Sequence, residues 1–393
     1  MTILTRLETD APDPLLRARR LGPAIAAAAD EIERTQRIPA PLLSDLHAAR
    51  LCRMLLPRSV DGDEVPPWIY LRAVEEISRH DASVGWNVFV ANSSALIAAF
   101  LPAESARIIF ADPRALVSWG PPNAAAATAV PGGYRLSGEW HFASGSRQAT
   151  WMGAHCQVVE PDGSRRRNPA GRPVLRTLLF PADRAERIED WNVIGLRGTA
   201  SEGYRVTNLF VHEDFSATRE EPDARREPGK LFAFTMQGLY AVGATGVAFG
   251  IARAMLDAFI DLATSKSPRG LGRLADSATV QAGLARQEAA LGAARAYLTA
   301  TLREVWDEAG SVAAIDVPAR ARVRLACAHA LAQAIAASDF AYKAAGVDAI
   351  FLGTAFERRF RDMHTLSQQI QARDAHFEAV GAILLGNMPE VFY

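Results

Sequence analysis

The side chains best able to carry chemistry are scattered along the chain. The eight histidines, at 47, 80, 141, 155, 212, 329, 364 and 376, include no HxxxH or HxH pair. His364 and His376 are twelve residues apart, over three turns if one helix spans both, which is too far to share a metal. Cys52, Cys156 and Cys327 are odd in number and never form a CxxC pair, so neither a zinc site nor a disulfide framework is expected. No G-x-G-x-x-G follows a strand-like run, which argues against a nicotinamide-binding unit in this chain. Residues 138–145, GEWHFASG, offer a different chemistry. Small residues let backbone approach a planar ring, Trp140 and Phe142 supply apolar contact, and Ser144 supplies a hydroxyl. The same stretch also reads as a hairpin strand with Trp140 and Phe142 in a core. Towards the C-terminus, Arg358, Arg359, Arg361, Asp362 and His364 concentrate charge. An imidazole titrating near neutrality can give or take a proton there, although these residues can equally form a charged cluster on a helix end.

Three segments must position these groups. Residues 13–112 show apolar spacing near 3.6, with Pro41 and Pro66-Pro67 marking helix starts and residues 60–64 as a loop. From about 114 to 215 the texture changes to short β-branched or aromatic runs. Turn signals at Pro131-Gly132-Gly133 and Pro161-Asp162-Gly163 predict an antiparallel sheet or barrel. The stretch 216–229 is polar and reads as a linker. Four long apolar or amphipathic segments then predict a four-helix bundle. Gly238, Gly243, Gly246 and Gly250 recur at short spacing in its first helix and predict tight packing within the bundle or across a subunit boundary. The expected domains are 1–113 helical, 114–228 β and 229–393 bundle, an α+β chain.

Composition bounds the possibilities. The chain has 393 residues, 49% hydrophobic and 22% charged, with 43 basic against 44 acidic side chains. That balance gives no pull towards nucleic acid, and Arg165-Arg166-Arg167 reads as a solvated loop. The N-terminal stretch lacks the apolar core of a signal peptide, and no stretch is read as a membrane span, which needs roughly 18 uncharged residues. The expectation is a cytoplasmic protein.

Helices, a β domain and then a long bundle is an uncommon order, and four motifs give it a name. Residues 81–86 (DASVGW) are similar to D-x-S-x-G-W, and residues 138–145 to G-x-W-x-F-A-S-G. Residues 191–201 (WNVIGLRGTAS) are similar to W-x-x-x-G-x-R-G-T-G-S, and residues 361–364 (RDMH) to R-D-x-H. Over essentially its full length the chain resembles the acyl-CoA dehydrogenase superfamily, nearest to the two-component flavin-dependent monooxygenases of that fold.

The resemblance implies an N-terminal helical domain, a central antiparallel β domain and a C-terminal four-helix bundle. It implies reduced FMN or FAD supplied by a separate reductase, dioxygen as co-substrate, a C4a-hydroperoxide and a small organic substrate, in a homotetramer. Trp140, Phe142, Ala143, Ser144, Arg197, Thr199 and Ser201 are then expected to line the flavin. Arg269 and Arg273, between two bundle helices, are expected to meet its phosphate. His364, Ser144, Asn92 and Ser94 are the candidate catalytic residues, and Trp86 is expected in the substrate pocket. Many aromatic hydroxylases of this group carry a second histidine after the G-W pair, where this chain has Asn92-Ser93-Ser94. A phenol-deprotonating role is lost there, and an indole, an amine or a polyketide-like aromatic is as plausible a substrate as a phenol.

The main alternative is an acyl-CoA dehydrogenase, which needs a carboxylate base to remove an α-proton. Where its common glutamate would follow the R-D pair, this chain has Gln369-Ile370-Gln371, and residues 228–287 hold no glutamate. A further alternative is a non-catalytic flavin-binding scaffold.

Overall fold

Short polar side chains and prolines set where the first helices begin. The computed structural model describes residues 13–168, 171–218, 222–270, 272–310 and 312–388. Helix α1 (Pro14–Thr35) starts with Pro14 in its first turn and the Asp13 carboxylate accepting from the Leu15 N–H. Helices α2 (Ala40–Ala48) and α3 (Pro67–His80) likewise carry proline in their first turns. Helix α4 (Ala82–Ala95) follows α3 after one residue, because Asp81 leaves the helical conformation and caps the Val84 N–H at 2.9 Å. A short α5 (Ala103–Phe110) completes the helical segment.

The β segment holds β1 (Val117–Trp119), β2 (Ala126–Val130), β3 (Gly133–Ala143), β4 (Trp151–Val159), β5 (Leu175–Pro181), β6 (Glu186–Ile188), β7 (Glu202–His212) and β8 (Ser216–Ala217). They form one sheet in the order β6-β7-β3-β2-β4-β5-β8, with β1 paired to β4. The sheet is mixed, which corrects the antiparallel expectation: β4 runs parallel to both β1 and β2. Strand β2 hairpins with β3 through the expected turn, and the chain then reverses over residues 144–150. A strand that enters β2's free edge after that reversal must run parallel to it.

The C-terminal segment begins with three long helices, α6 (Met236–Ser265), α7 (Ala278–Ala309) and α8 (Val317–Ala345). The expected fourth long helix is broken into α9 (Glu357–Ser367) and α10 (Ala375–Leu384). Gln369 adopts extended backbone at the break, and its side chain caps the Gln371 N–H.

Helix α6 is the hub. A Cβ on Gly250 would lie 2.5 Å from Glu75 O and from Ser78 Cβ, and one on Gly246 3.0 Å from Leu71 O, all of α3. Gly243, Gly246 and Gly250 therefore serve contact with the N-terminal helices, whereas a Cβ on Gly238 would meet Thr235 and, at 4.0 Å, Val323 of α8 inside the bundle. Two helical stretches, Ala82–Phe100 and Met236–Ser265, are long and apolar enough to span a bilayer, contrary to the sequence reading. Of the most apolar 18 residues of each, 94% and 89% are buried inside the fold, which accounts for their composition as core helices.

Gly250→Ala is expected to destabilise the fold by about 1–3 kcal/mol through overpacking against the α3 backbone. Gly292→Ala on α7, where a Cβ would meet nothing within 4 Å, is expected to stabilise by about 0.5–1 kcal/mol. Denaturant unfolding of the two variants checks the contrast.

Candidate active site

Where α4, the sheet and the broken last helix converge, they enclose a cavity of about 580 Å³. Trp86, Val90, Ser93 and Ser94 line it from the N-terminal helices, and Trp119, Phe142, Ser144, Trp191, Thr199 and Ser201 from the β side. Gln237, Tyr240, Thr365, Gln368, Gln369, Gln371 and Arg373 close it from the bundle side. Among the described residues, no aspartate or glutamate lines it.

A line of hydroxyls crosses the β side. Trp86 Nε1 donates to Ser144 Oγ at 3.0 Å, Ser144 Oγ lies 2.6 Å from Ser201 Oγ, and Ser201 Oγ lies 2.8 Å from Thr199 Oγ1. Thr199 Oγ1 donates to the Leu196 carbonyl at 2.8 Å. The two ends fix every proton between them, because an indole N–H only donates and a carbonyl only accepts. Thr199 gives its proton to Leu196, so Ser201 donates to Thr199 and Ser144 donates to Ser201. Ser144 therefore offers the cavity a lone pair.

Backbone strain collects around this line. Phe142, Leu196 and Ala200 have positive φ, at 60°, 50° and 42°, a region unfavourable for residues with a Cβ and typical of functional sites. The surroundings hold them there. The Leu196 N–H donates to Asp362 Oδ1 at 2.6 Å. A Cβ on Gly195 would meet the Arg361 backbone, and one on Gly198 would meet Ile32 and Ser83. Two glycines thus let the 191–201 loop lie directly on α9, α1 and α4. Phe142, 64% exposed, presents an aromatic face beside Trp191, 6.3 Å away edge-on. A flat ring system with a polar edge fits between these aromatics and the hydroxyl line.

Residues 20–104 match the model of the acyl-CoA dehydrogenase N-terminal domain, and residues 242–373 that of the acyl-CoA dehydrogenase C-terminal domain. The chain belongs to the acyl-CoA dehydrogenase superfamily. It is 28% identical to an indole-3-acetate monooxygenase of Pseudomonas putida over 384 residues, covering 94% of this chain and 95% of that one. It is also 28% identical over 284 residues to the oxygenase component of an FADH2-dependent resorcinol hydroxylase of a Rhizobium species, covering 68% and 67%. In structure it is similar to XiaF from a Streptomyces species, solved with FADH2 and glycerol, with a TM-score of 0.88, 23% identity and 96% of each chain covered.

Of the residues expected at the site, Trp86, Ser94, Phe142, Ser144, Thr199 and Ser201 line the cavity. Trp140 and Ala143 do not. Both are buried in the sheet's core, with Trp140 stacked on Tyr204 and its Nε1 donating to the His155 carbonyl at 3.0 Å. The pairing of β3 with β7 shifts register between Trp140 and Ala143. That bulge, with Phe142 in the left-handed region, breaks the strand's alternation and sends Phe142 alone to the cavity. Asn92 is structural. Its amide donates to the carbonyls of Leu51 and Val88 and accepts from the Leu55 N–H. His364 is turned away, its Nε2 3.0 Å from Asp339 Oδ1 of α8, because the neighbouring Thr365 and Gln368 occupy the cavity face of α9. Arg197 faces Glu33 of α1 at 3.7 Å. Arg269 and Arg273 lie on the exposed connection between α6 and α7, Arg273 pairing with Asp276 at 2.7 Å, and neither lines the cavity.

Sequence reasoning missed Trp119, His155, Gln237, Tyr240 and the glutamines near 369. His155 is buried, with Nδ1 2.8 Å from Thr177 Oγ1. The absent glutamate at 369–371 was the available signal for the bundle wall.

Beneath the Leu196 junction, burial pushes the carboxyl of Asp362 up to about 7 and that of Asp81 up to about 6, and the Asp81 charge raises Asp362 further. A carboxyl whose pKa is raised on folding holds its proton better in the folded state. It stabilises fully below its unfolded pKa near 4, and that contribution is lost as pH rises through the folded value. Stability is expected to fall between about pH 4 and 7, by at most about 1.4 kcal/mol per pH unit for each proton. Asp362→Asn, whose amide oxygen can still accept from Leu196, should flatten that slope, as thermal melts across this range will show.

Proposed function

We propose that this chain is the oxygenase component of a two-component flavin-dependent monooxygenase. It takes reduced FMN or FAD from a separate reductase, uses dioxygen and oxygenates a small organic substrate. The observation that carries this reading is the ordered line Trp86–Ser144–Ser201–Thr199–Leu196 on the wall of a cavity that no carboxylate of the described residues lines. When bound, reduced flavin would supply the two electrons that activate dioxygen, of which one oxygen atom goes to the substrate and the other leaves as water. The protein's residues bind, orient and exclude water. Ser144 presents an acceptor to a ring N–H, Phe142 and Trp191 flank an aromatic plane, and Thr199 and Ser201 hold Ser144 in one hydrogen-bonding state. The homologues named above as monooxygenase and hydroxylase support this reading, as does the flavin bound to XiaF. A dehydrogenase is disfavoured because the bundle wall offers Gln369 and Gln371 where α-proton abstraction needs a carboxylate.

The protein acts as a homotetramer in the cytoplasm on this proposal. Val347, Ile350, Phe351 and Leu352 are 61–86% exposed and form an apolar corner of the bundle that a second copy can cover. The buried free thiols Cys52, Cys156 and Cys327 suit a reducing compartment. Light scattering is expected to return four chain masses, and a monomer would count against the assembly.

Ser144→Ala removes the acceptor and strands the Trp86 indole. Affinity for reduced FMN, measured anaerobically by fluorescence, should fall about tenfold, equivalent to about 1.4 kcal/mol. Binding of the oxidised form, which lacks the reduced ring's extra N–H, should change less. Equal losses for both forms would show that Ser144 does not read the redox state.

A further inference from the structure

Ser144 borders a second space besides the main cavity. It is a void of about 10 Å³, room for one water-sized molecule, with Leu46, Val88 and Ala91 among its apolar sides. Asn87, Ser118, Gly145 and Gln148 give it polar edges. Asn87 is 5% exposed, and its amide can stand in one orientation only. Nδ2 donates to the carbonyls of Ser83 and Gly198, both at 3.0 Å, and a carbonyl only accepts. Oδ1 therefore faces the other way, where it is buried and meets no donor of the described residues. A buried amide oxygen left in that state is costly, and folded proteins almost always give such an atom a partner.

Gly145 fixes the partner's place. A Cβ on this residue would stand 3.1 Å from Asn87 Oδ1 and 3.7 Å from Gln148 Nε2. Without a Cβ that point stays open, between an acceptor and a donor. The φ of 77° at Gly145 keeps the position glycine for backbone reasons as well. A third group is at hand, because Ser118 gives its proton to the Ser144 carbonyl at 2.8 Å and retains its lone pairs in the lining of the void. Two acceptors and one donor around one molecule match the two protons and the lone pairs of water. Dioxygen, of similar size, has no proton to give to Asn87.

The same spot joins the elements that carry the hydroxyl line. Asn87 of α4 holds the Gly198 carbonyl, the Gly145 N–H donates to the Thr199 carbonyl at 2.9 Å, and the Gln148 N–H donates to the Gly145 carbonyl at 3.1 Å. A molecule bound between Asn87 and Gln148 closes this ring, next to the bond from Trp86 Nε1 to Ser144 Oγ. We infer that the void is a site for one water molecule, which donates to Asn87 Oδ1 and accepts from Gln148 Nε2, and that Asn87 and Gln148 are positioning residues acting through it on Ser144. The inference stands on the chain's own hydrogen bonds and does not rest on the function proposed above.

The test uses the full chain without flavin. Crystals that diffract well enough to show ordered water should reveal one peak within hydrogen-bonding distance of both Asn87 Oδ1 and Gln148 Nε2. Gln148→Met, close in size but without the donor, should lower or abolish the peak. Ala91→Val leaves every polar partner in place, fills the void and should expel the water. The positioning role is read from the indole N–H resonance of Trp86 in protein labelled with ¹⁵N-tryptophan, assigned by its loss in Trp86→Phe. Both variants should move that resonance upfield as the bond to Ser144 lengthens, while that of Trp68, packed on Trp306, stays in place. If Ala91→Val does not fold, Gln148→Met decides. A void without a peak, or a direct bond from Gln148 to Asn87 in its place, overturns the site. A peak unchanged in the variants overturns the assigned partners, and a peak lost with the Trp86 resonance unmoved overturns the positioning role.

Discussion

The site depends on the backbone of one residue, Leu196. Its N–H is held by Asp362 at 2.6 Å, and its carbonyl accepts from Thr199 Oγ1 at 2.8 Å and from Trp191 Nε1 at 3.3 Å. Through the first bond the 191–201 loop is tied to α9. Through the second, the hydroxyl line to Ser144 and Trp86 receives its direction. Helix α4, the sheet and the broken last helix thus meet at a residue of positive φ. That conformation persists only because Gly195 and Gly198 let the loop sit against neighbouring backbone and side chains. A buried carboxyl that titrates near neutrality at this junction links the stability of the site to pH.

Much of this is legible in the sequence because local signals and global fold agree. Prolines and Asp81 mark helix starts, the turn after Val130 marks a hairpin, and the motif Ser144, Thr199 and Ser201 reach one wall. The failures share a physical origin in departures from periodicity. Period-2 alternation places Trp140 and Phe142 on one face, and the bulge between Trp140 and Ala143 separates them. An unbroken helix from α9 to α10 would carry Gln369 and Gln371 on its regular surface. The turn at Ile370–Ala372 instead places both on the cavity wall. His364 shows a related limit: a residue one position from the cavity face of a helix points about 100° away from it. Asn92 shows that a buried polar residue is often fully used by nearby backbone, which sequence spacing alone does not reveal.

The two walls divide the work. The β wall presents an acceptor and aromatic faces, suited to a planar ring system, and the bundle wall presents amides, a phenol and a guanidinium. What the cavity lacks is as informative as what it holds. Among the described residues no carboxylate lines it, and its walls offer aromatic faces, hydroxyls and amides that can position and shield a bound ring system.

The most direct test of that account supplies chemically reduced FMN or FAD and ¹⁸O₂ to the protein with a panel of indoles, aromatic amines, polyketide-like aromatics and phenols, and follows product mass and hydrogen peroxide together. One ¹⁸O atom in an aromatic product, with peroxide release suppressed relative to free flavin, is the expected result. Peroxide equal to all the flavin oxidised, no labelled product, and bound FAD bleached by an acyl-CoA would contradict the account and place the chain among the dehydrogenases.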